Sequence, residues 1–162
     1  MNRNSTLFHE EQRLGKLRVL AMLAIPPAGF AALTVWQVWM GHPWGRHPMS
    51  NGSVIFWTIF LFLLYARLAT IRLVTDVFPD SVRVAMKGFW RSRRVFPEEI
   101  RTVKTTVFDP VRDYGGYGVR SADDEKAWIA SGNQGVRLEL TNGARLLIGS
   151  RQPKDLETAI RR

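Results

Sequence analysis

Two stretches of this 162-residue chain, residues 19–40 and 54–66, contain no charged side chain at all. The first runs from Val19 to Met40 with only Thr34 and Gln37 as polar interruptions. A helix of that length rises about 30 Å, the thickness of a bilayer's hydrocarbon. The second begins near Ser53, is apolar from Val54 to Ala66, and reaches spanning length only by ending near Arg72. Arg67 then sits near one end, where it can snorkel to the headgroups. Neither run carries the polar stripe of a soluble amphipathic helix. The remaining ~90 residues are too few to wrap two such helices as a buried core. Glu10 and Glu11 in the leading segment, and a second span directly behind the first, argue against a cleaved leader. The two runs therefore read as a transmembrane helical hairpin over residues 19–72.

Between them, residues 41–52 are rich in glycine and proline and form a loop. Trp36, Trp39, Trp44 and Trp57 cluster at this end, as in an interfacial aromatic belt. Arg3, Arg13, Lys16 and Arg18 precede the first span, and Arg67, Arg72, Arg83 and Lys87 accompany or follow the second, whereas the loop has only Arg46. The positive-inside rule then puts the loop outside and both termini in the cytoplasm, with residues 1–18 a cytoplasmic N-terminal segment. Pro26-Pro27 removes two backbone donors inside the first span, so the helix should kink there.

Residues 73–162 change character and carry 28 of the 37 charges. Residues 81–87 and 136–140 alternate apolar and polar positions, the period of a half-buried strand. Asn142-Gly143 predicts a two-residue type I′ hairpin into a partner strand over 144–148. Further strands are read at 69–77, 93–96, 101–108, 117–121 and 126–130. Pro153 suits the first turn of a closing helix whose apolar stripe is Leu156, Ala159 and Ile160. The expected fold is a mainly antiparallel β domain of about seven strands, a bent sheet or partly open barrel, with a C-terminal helix covering its open end.

Pro43-Trp44-Gly45, Pro48-Met49-Ser50-Asn51, residues 112–120, residues 131–136 and Leu146-Leu147-Ile148-Gly149-Ser150 carry a resemblance over nearly the whole chain. The chain resembles an uncharacterised bacterial membrane family with two N-terminal helices followed by a pleckstrin-homology-like cytoplasmic domain. The resemblance implies that fold and an inner-membrane location, and it carries over no catalytic residue.

Candidate sites are few. Arg91, Arg93 and Arg94 follow Phe89-Trp90 and read as a basic patch for anionic headgroups, or as a solvated hairpin tip. The turn at Phe78-Pro79-Asp80-Ser81, where phosphoinositide-binding relatives of the resembled fold carry basic residues, is short and acidic here. Arg112, Asp113, Tyr114, Gly115, Gly116 and Tyr117 read as a recognition loop, or as glycines relieving backbone strain beside a strand. His42 and His47 lack the further ligands of a metal site, and Asp123-Asp124-Glu125 lacks the spacing of a calcium loop. Ser131-Gly132-Asn133 does not fit a nucleophile elbow, and on the expected topology only His9 is on its side of the membrane. With no cysteine there is no thiolate chemistry or disulfide framework.

The chain has 23 basic and 14 acidic residues, a net +9, but the region from Leu73 onward has 16 against 12. Most of the excess flanks the membrane segment, where the positive-inside rule accounts for it, so nucleic acid is not the partner. The leading reading is a membrane-anchored, non-catalytic interaction module. Its partners would be the bilayer through the two helices, and a second protein or another copy of itself, with no cofactor and no specific small molecule. The rival is a membrane-bound enzyme or enzyme subunit with a site in the Asp109–Gly118 loop; a deep pocket there would favour it, and a shallow groove would favour the module.

Overall fold

In the computed structural model, which describes residues 6–14, 17–88, 91–122 and 124–162 without the side chains of residues 17, 18 and 91, both apolar runs are helical. Helix α1 (Leu17–Leu23) and α2 (Ile25–Thr34) are separated at Ala24. Pro26 and Pro27, in the first turn of α2, withdraw the N–H groups that an unbroken helix would direct at residues 22 and 23. A single π-helical turn, Val35–Trp39, ends the run. Helix α3 (Asn51–Ala69) is N-capped by Ser50, whose Oγ accepts from Ser53 N at 3.2 Å. It stops three residues short of the expected Arg72, which already belongs to a strand.

Helices α2 and α3 lie against each other. The Thr34 and Thr58 hydroxyls are 2.7 Å apart, each also within reach of a carbonyl of its own helix, Phe30 O at 2.8 Å and Val54 O at 2.9 Å. Gln37 Nε2 donates to Met49 O at 2.6 Å and to Asn51 Oδ1 at 3.1 Å. Thr34, Thr58 and Gln37 are thus all hydrogen-bonded within the helical unit. Val19–Trp39 and Asn51–Ala69 are long and apolar enough to cross a membrane. Met22, Ile25, Phe56 and Leu63 are exposed on their surfaces.

Residues 17–70 form one unit, and the residues up to 14 together with Ile71–Arg162 form another. Among the described residues this second unit has nine strands, where the sequence reads about seven. β1 (Phe8–Arg13), β2 (Arg72–Phe78), β3 (Ser81–Lys87) and β4 (Arg91–Val95) form an antiparallel sheet in that order. β5 (Ile100–Val107), β6 (Gly118–Ala122), β7 (Glu125–Ile129), β8 (Gln134–Leu140) and β9 (Arg145–Gly149) form the second, in the order β5-β8-β9-β7-β6. Pairing in it is antiparallel except between β7 and β9.

β1 corrects the sequence reading, which treats residues 1–18 as a segment apart from a domain beginning at residue 73. The structure pairs Phe8 with Val77 and Arg13 with Arg72, so the β unit takes strands from both sides of the helices. A second correction concerns Asn142-Gly143. Only Gly143 has positive φ (+84°), so the two-residue type I′ turn does not form. Thr141, Asn142 and Gly143 make a three-residue loop instead: Gly143 N donates to Leu140 O at 2.9 Å and Leu140 N donates to Ala144 O at 2.8 Å.

Val77, Val82 and Val95, with Leu73, Val84 and Met86, are buried on the inner face of the first sheet. Val136, Leu138, Leu146 and Ile148 are buried in the second. Helix α5 (Pro153–Ile160) contacts strands of both sheets and buries Leu156 and Ala159. Glu157 accepts from Thr105 N at 3.1 Å, and Arg161 donates to Val103 O, so α5 satisfies backbone groups on edge strand β5. Arg161 also holds the Glu157 carboxyl below the usual carboxylate range. At the seam between the sheets, Gln12 Nε2 donates to Gly149 O (2.9 Å) and Ser131 Oγ donates to Gln12 Oε1 (2.9 Å). Glu10 accepts from Ser150 Oγ (2.6 Å) and Arg151 N (2.8 Å). β1 is thereby tied to both sheets.

Candidate functional site

The Asp109–Gly118 segment folds as a lid. Asp109 Oδ1 accepts from Val111 N (2.9 Å) and Arg112 N (3.0 Å), capping the short helix α4 (Pro110–Tyr114). Asp113 accepts from Asp109 N at 2.8 Å and from Arg112 Nε at 3.2 Å. Those contacts, the backbone one foremost, hold its carboxyl below the usual range. Gly115, Gly116 and Gly118 take φ of +69°, +124° and +113°, turning the chain from α4 into β6 through conformations that side chains disfavour.

Tyr114 points away from the surface loop. Its ring meets Phe108 edge-on at 5.8 Å and packs with Ala127, Ile129 and Leu147 in a small core on one face of the second sheet. Tyr117 and Ala122 are half-buried against the same core. The Tyr114 hydroxyl donates to Glu125 Oε2 at 2.7 Å. Arg137 grips the same carboxylate with Nε to Oε1 at 2.7 Å and Nη2 to Oε2 at 3.2 Å. Burial and the neighbouring carboxylate push the Tyr114 phenol up, and Glu125 holds the Arg137 guanidinium up. The network is a bolt beneath the lid.

Above it lies an open depression of about 370 Å³, lined by Phe108, Asp109, Arg112, Asp113 and Asn133 among others. Arg112, Asp109 and Asp113 are brought together there, while Tyr114 and Tyr117 turn inward. Both carboxylates are occupied with backbone N–H groups of the lid itself. Among the described residues no three His, Asp or Glu side chains cluster as metal ligands.

Of the three arginines read as one patch, Arg93 and Arg94 take opposite faces of the first sheet, Arg93 paired with Val84 and Arg94 with Arg83. Arg93 Nε is buried without a protein partner, and Arg94 is exposed. Arg91 opens β4 opposite Met86, but its side chain, with Phe89 and Trp90, lies outside the described residues. Asp123 lies outside them too.

The register builds a different cluster. Arg13, Arg72 and Lys87 are directly opposite one another on β1, β2 and β3, on the sheet's outer face. Glu11 on the same face accepts from Arg72 Nη1 at 2.5 Å. That bond is the main reason its carboxyl is held below the usual range. Sequence reasoning counts Arg13 and Arg72 only as charges flanking the helices. Phe8-His9-Glu10-Glu11-Gln12-Arg13 has no apolar alternation that would mark it as a strand.

The remaining candidates have structural surroundings. Ser131 is buried and donates to Gln12. The His42 ring lies against Trp36 at 5.3 Å. His47 borders an apolar cavity of about 480 Å³ in the helical unit, with Gly29, Phe30, Gln37 and Trp44. No family model matches the chain, and no curated protein is similar to it.

Proposed function

We propose that this protein is a membrane-anchored, non-catalytic interaction module. In this reading the two apolar helices cross the inner membrane as a hairpin with both chain ends in the cytoplasm, and the β unit is a pleckstrin-homology-like domain on the cytoplasmic face. The observation that carries it is the β1–β2 pair. Leu14 N donates to Ile71 O at 3.1 Å, so the chain leaves and re-enters the β unit at one point. Both outer ends of the helical pair are then bound to one side of a membrane by chain length alone. This support is independent of charge, and the distribution of Arg and Lys points the same way.

Two open sheets closed by a C-terminal helix support the pleckstrin-homology-like reading, although the parallel β7–β9 pair departs from an all-antiparallel plan. The shallow depression beside α4, whose carboxylates are spent on the lid, supports a surface over an active site. Partner binding then falls to exposed faces and sheet edges, with a second protein or another copy of the chain as the ligand. The test is topological. A cysteine introduced as Ser50→Cys should react with an impermeant thiol reagent from outside intact cells, and a reporter after Arg162 should behave as cytoplasmic. Labelling of position 50 only after permeabilisation would reverse the arrangement.

A further inference from the structure

We infer that Arg13, Arg72 and Lys87 together form a seat for the phosphodiester of an anionic phospholipid at the base of the first sheet. The inference rests on the reading that the helices span a membrane. Chain length then limits how far the row can lie from the helix ends. Arg13 is four residues before Leu17 and Arg72 is three after Ala69, so neither backbone is more than about 14 Å from a helix end. Lys87 follows one strand further on, about 5 Å from Arg72. Those are upper bounds, and within them the row can reach the headgroup layer, about 5–8 Å deep on each face.

The row's electrostatics call for an anion. Like charges directly opposite on neighbouring strands destabilise a sheet, and here three stand in line. Glu11 answers one of them, through Arg72. Among the described residues neither Arg13 nor Lys87 has a carboxylate within salt-bridge distance, and both side chains are exposed. Three cations and one carboxylate leave +2, suited to one or two singly charged phosphodiesters. Glu11 also steadies the Arg72 fork on the outer face. Arg83 and Arg94, opposite each other on the same face, sit four residues further from the helices, about 13 Å along the strands. They form an internal control of matching chemistry in a different place.

The experiment uses the full chain in a mild non-ionic detergent, titrated with phosphatidylglycerol or phosphatidylcholine and read by native mass spectrometry. The parent should retain phosphatidylglycerol at a concentration at least tenfold lower than phosphatidylcholine, since each basic residue near an anionic surface contributes roughly fivefold. Arg13→Gln/Arg72→Gln/Lys87→Gln should lose that preference, and Arg83→Gln/Arg94→Gln should keep it. The Arg13→Gln/Lys87→Gln pair, which leaves the Arg72–Glu11 bond intact, guards against loss through misfolding and should also lose most of the preference. Equal retention by the triple variant and the parent overturns the seat, as does equal loss in the Arg83/Arg94 variant. Displacement of the lipid by an equal concentration of soluble glycerol phosphate overturns the assignment to lipid. Release of the parent from membranes by alkaline carbonate sinks the membrane reading itself. Firm insertion without lipid preference sinks only the seat.

Discussion

The two sheets of the β unit handle their faces in opposite ways. The second sheet is covered on the side where Phe108 and, from α4, Tyr114 pack over Ala127, Ile129 and Leu147. Its buried carboxylate, Glu125, is gripped from β8 by Arg137 and from α4 by Tyr114. The first sheet carries His9, Glu11, Arg13, Arg83, Lys87 and Arg94, all exposed, on its outer face, around a buried Val74. Burial of ions needs partners, so the second sheet's charges are framework. Exposed charges contribute little to stability, so those of the first sheet are free to serve recognition. The difference separates residues that hold the fold from residues that meet something outside it.

Four variants sharpen or break that contrast, read by thermal and denaturant melting of the full chain in detergent with β-sheet circular dichroism. Leu138→Asp puts an unpaired carboxylate at a fully buried position of β8. It should cost several kcal/mol and leave no cooperative β transition. Retention of that transition would mean the second sheet is not the framework. Arg137→Ala strands Glu125, whose side chain is only 7% exposed. The loss should be about 3 kcal/mol, at the low end for a buried pair because the guanidinium is partly in water. A change under 1 kcal/mol would show that Glu125 does not depend on it.

Tyr114→Phe keeps the ring in its core and removes one hydrogen bond to a charged acceptor, worth about 1.5 kcal/mol. Its pH dependence has a definite sign. The folded phenol titrates above its unfolded value, so its contribution is fully present below about pH 10 and is lost as pH rises through the raised folded value. The gap between parent and variant should therefore be constant near neutrality and narrow in strong alkali; a gap that widens there would contradict the assignment. Smallest of all, Arg83→Gln/Arg94→Gln should move stability by less than about 0.5 kcal/mol. A loss above 1 kcal/mol would place the first sheet's outer charges among the framework.

Much of this was legible in the sequence, for physical reasons that vary by segment. The apolar runs are legible because their composition fits helices of spanning length, and TM-length helices stand at Val19–Trp39 and Asn51–Ala69. β3 coincides with the alternation at residues 81–87, and α5 begins at Pro153 as its capping chemistry requires. β1 is not legible, because its inward residues Glu10 and Gln12 are polar and are paid for by Ser131, Gly149, Ser150 and Arg151, all distant in sequence. The arginine row depends on β1 and is hidden with it. Tyr114 carries no local mark of burial, since its partners Glu125 and Arg137 come from two later strands.

The placement of β1 ahead of the helices also sets an order of events during synthesis. Its partner strand begins 59 residues after β1 ends, at Arg72 opposite Arg13. At about 5–20 residues per second, β1 waits several seconds between leaving the ribosome and meeting β2. Throughout that wait the two apolar helices are being made. The sheet can close only after both have been made, so closure of β1 onto β2 reports that the whole helical segment has been synthesised. A nascent chain arrested before β2 would display an unpaired strand and a raw sheet edge, the kind of surface that chaperones and proteases engage.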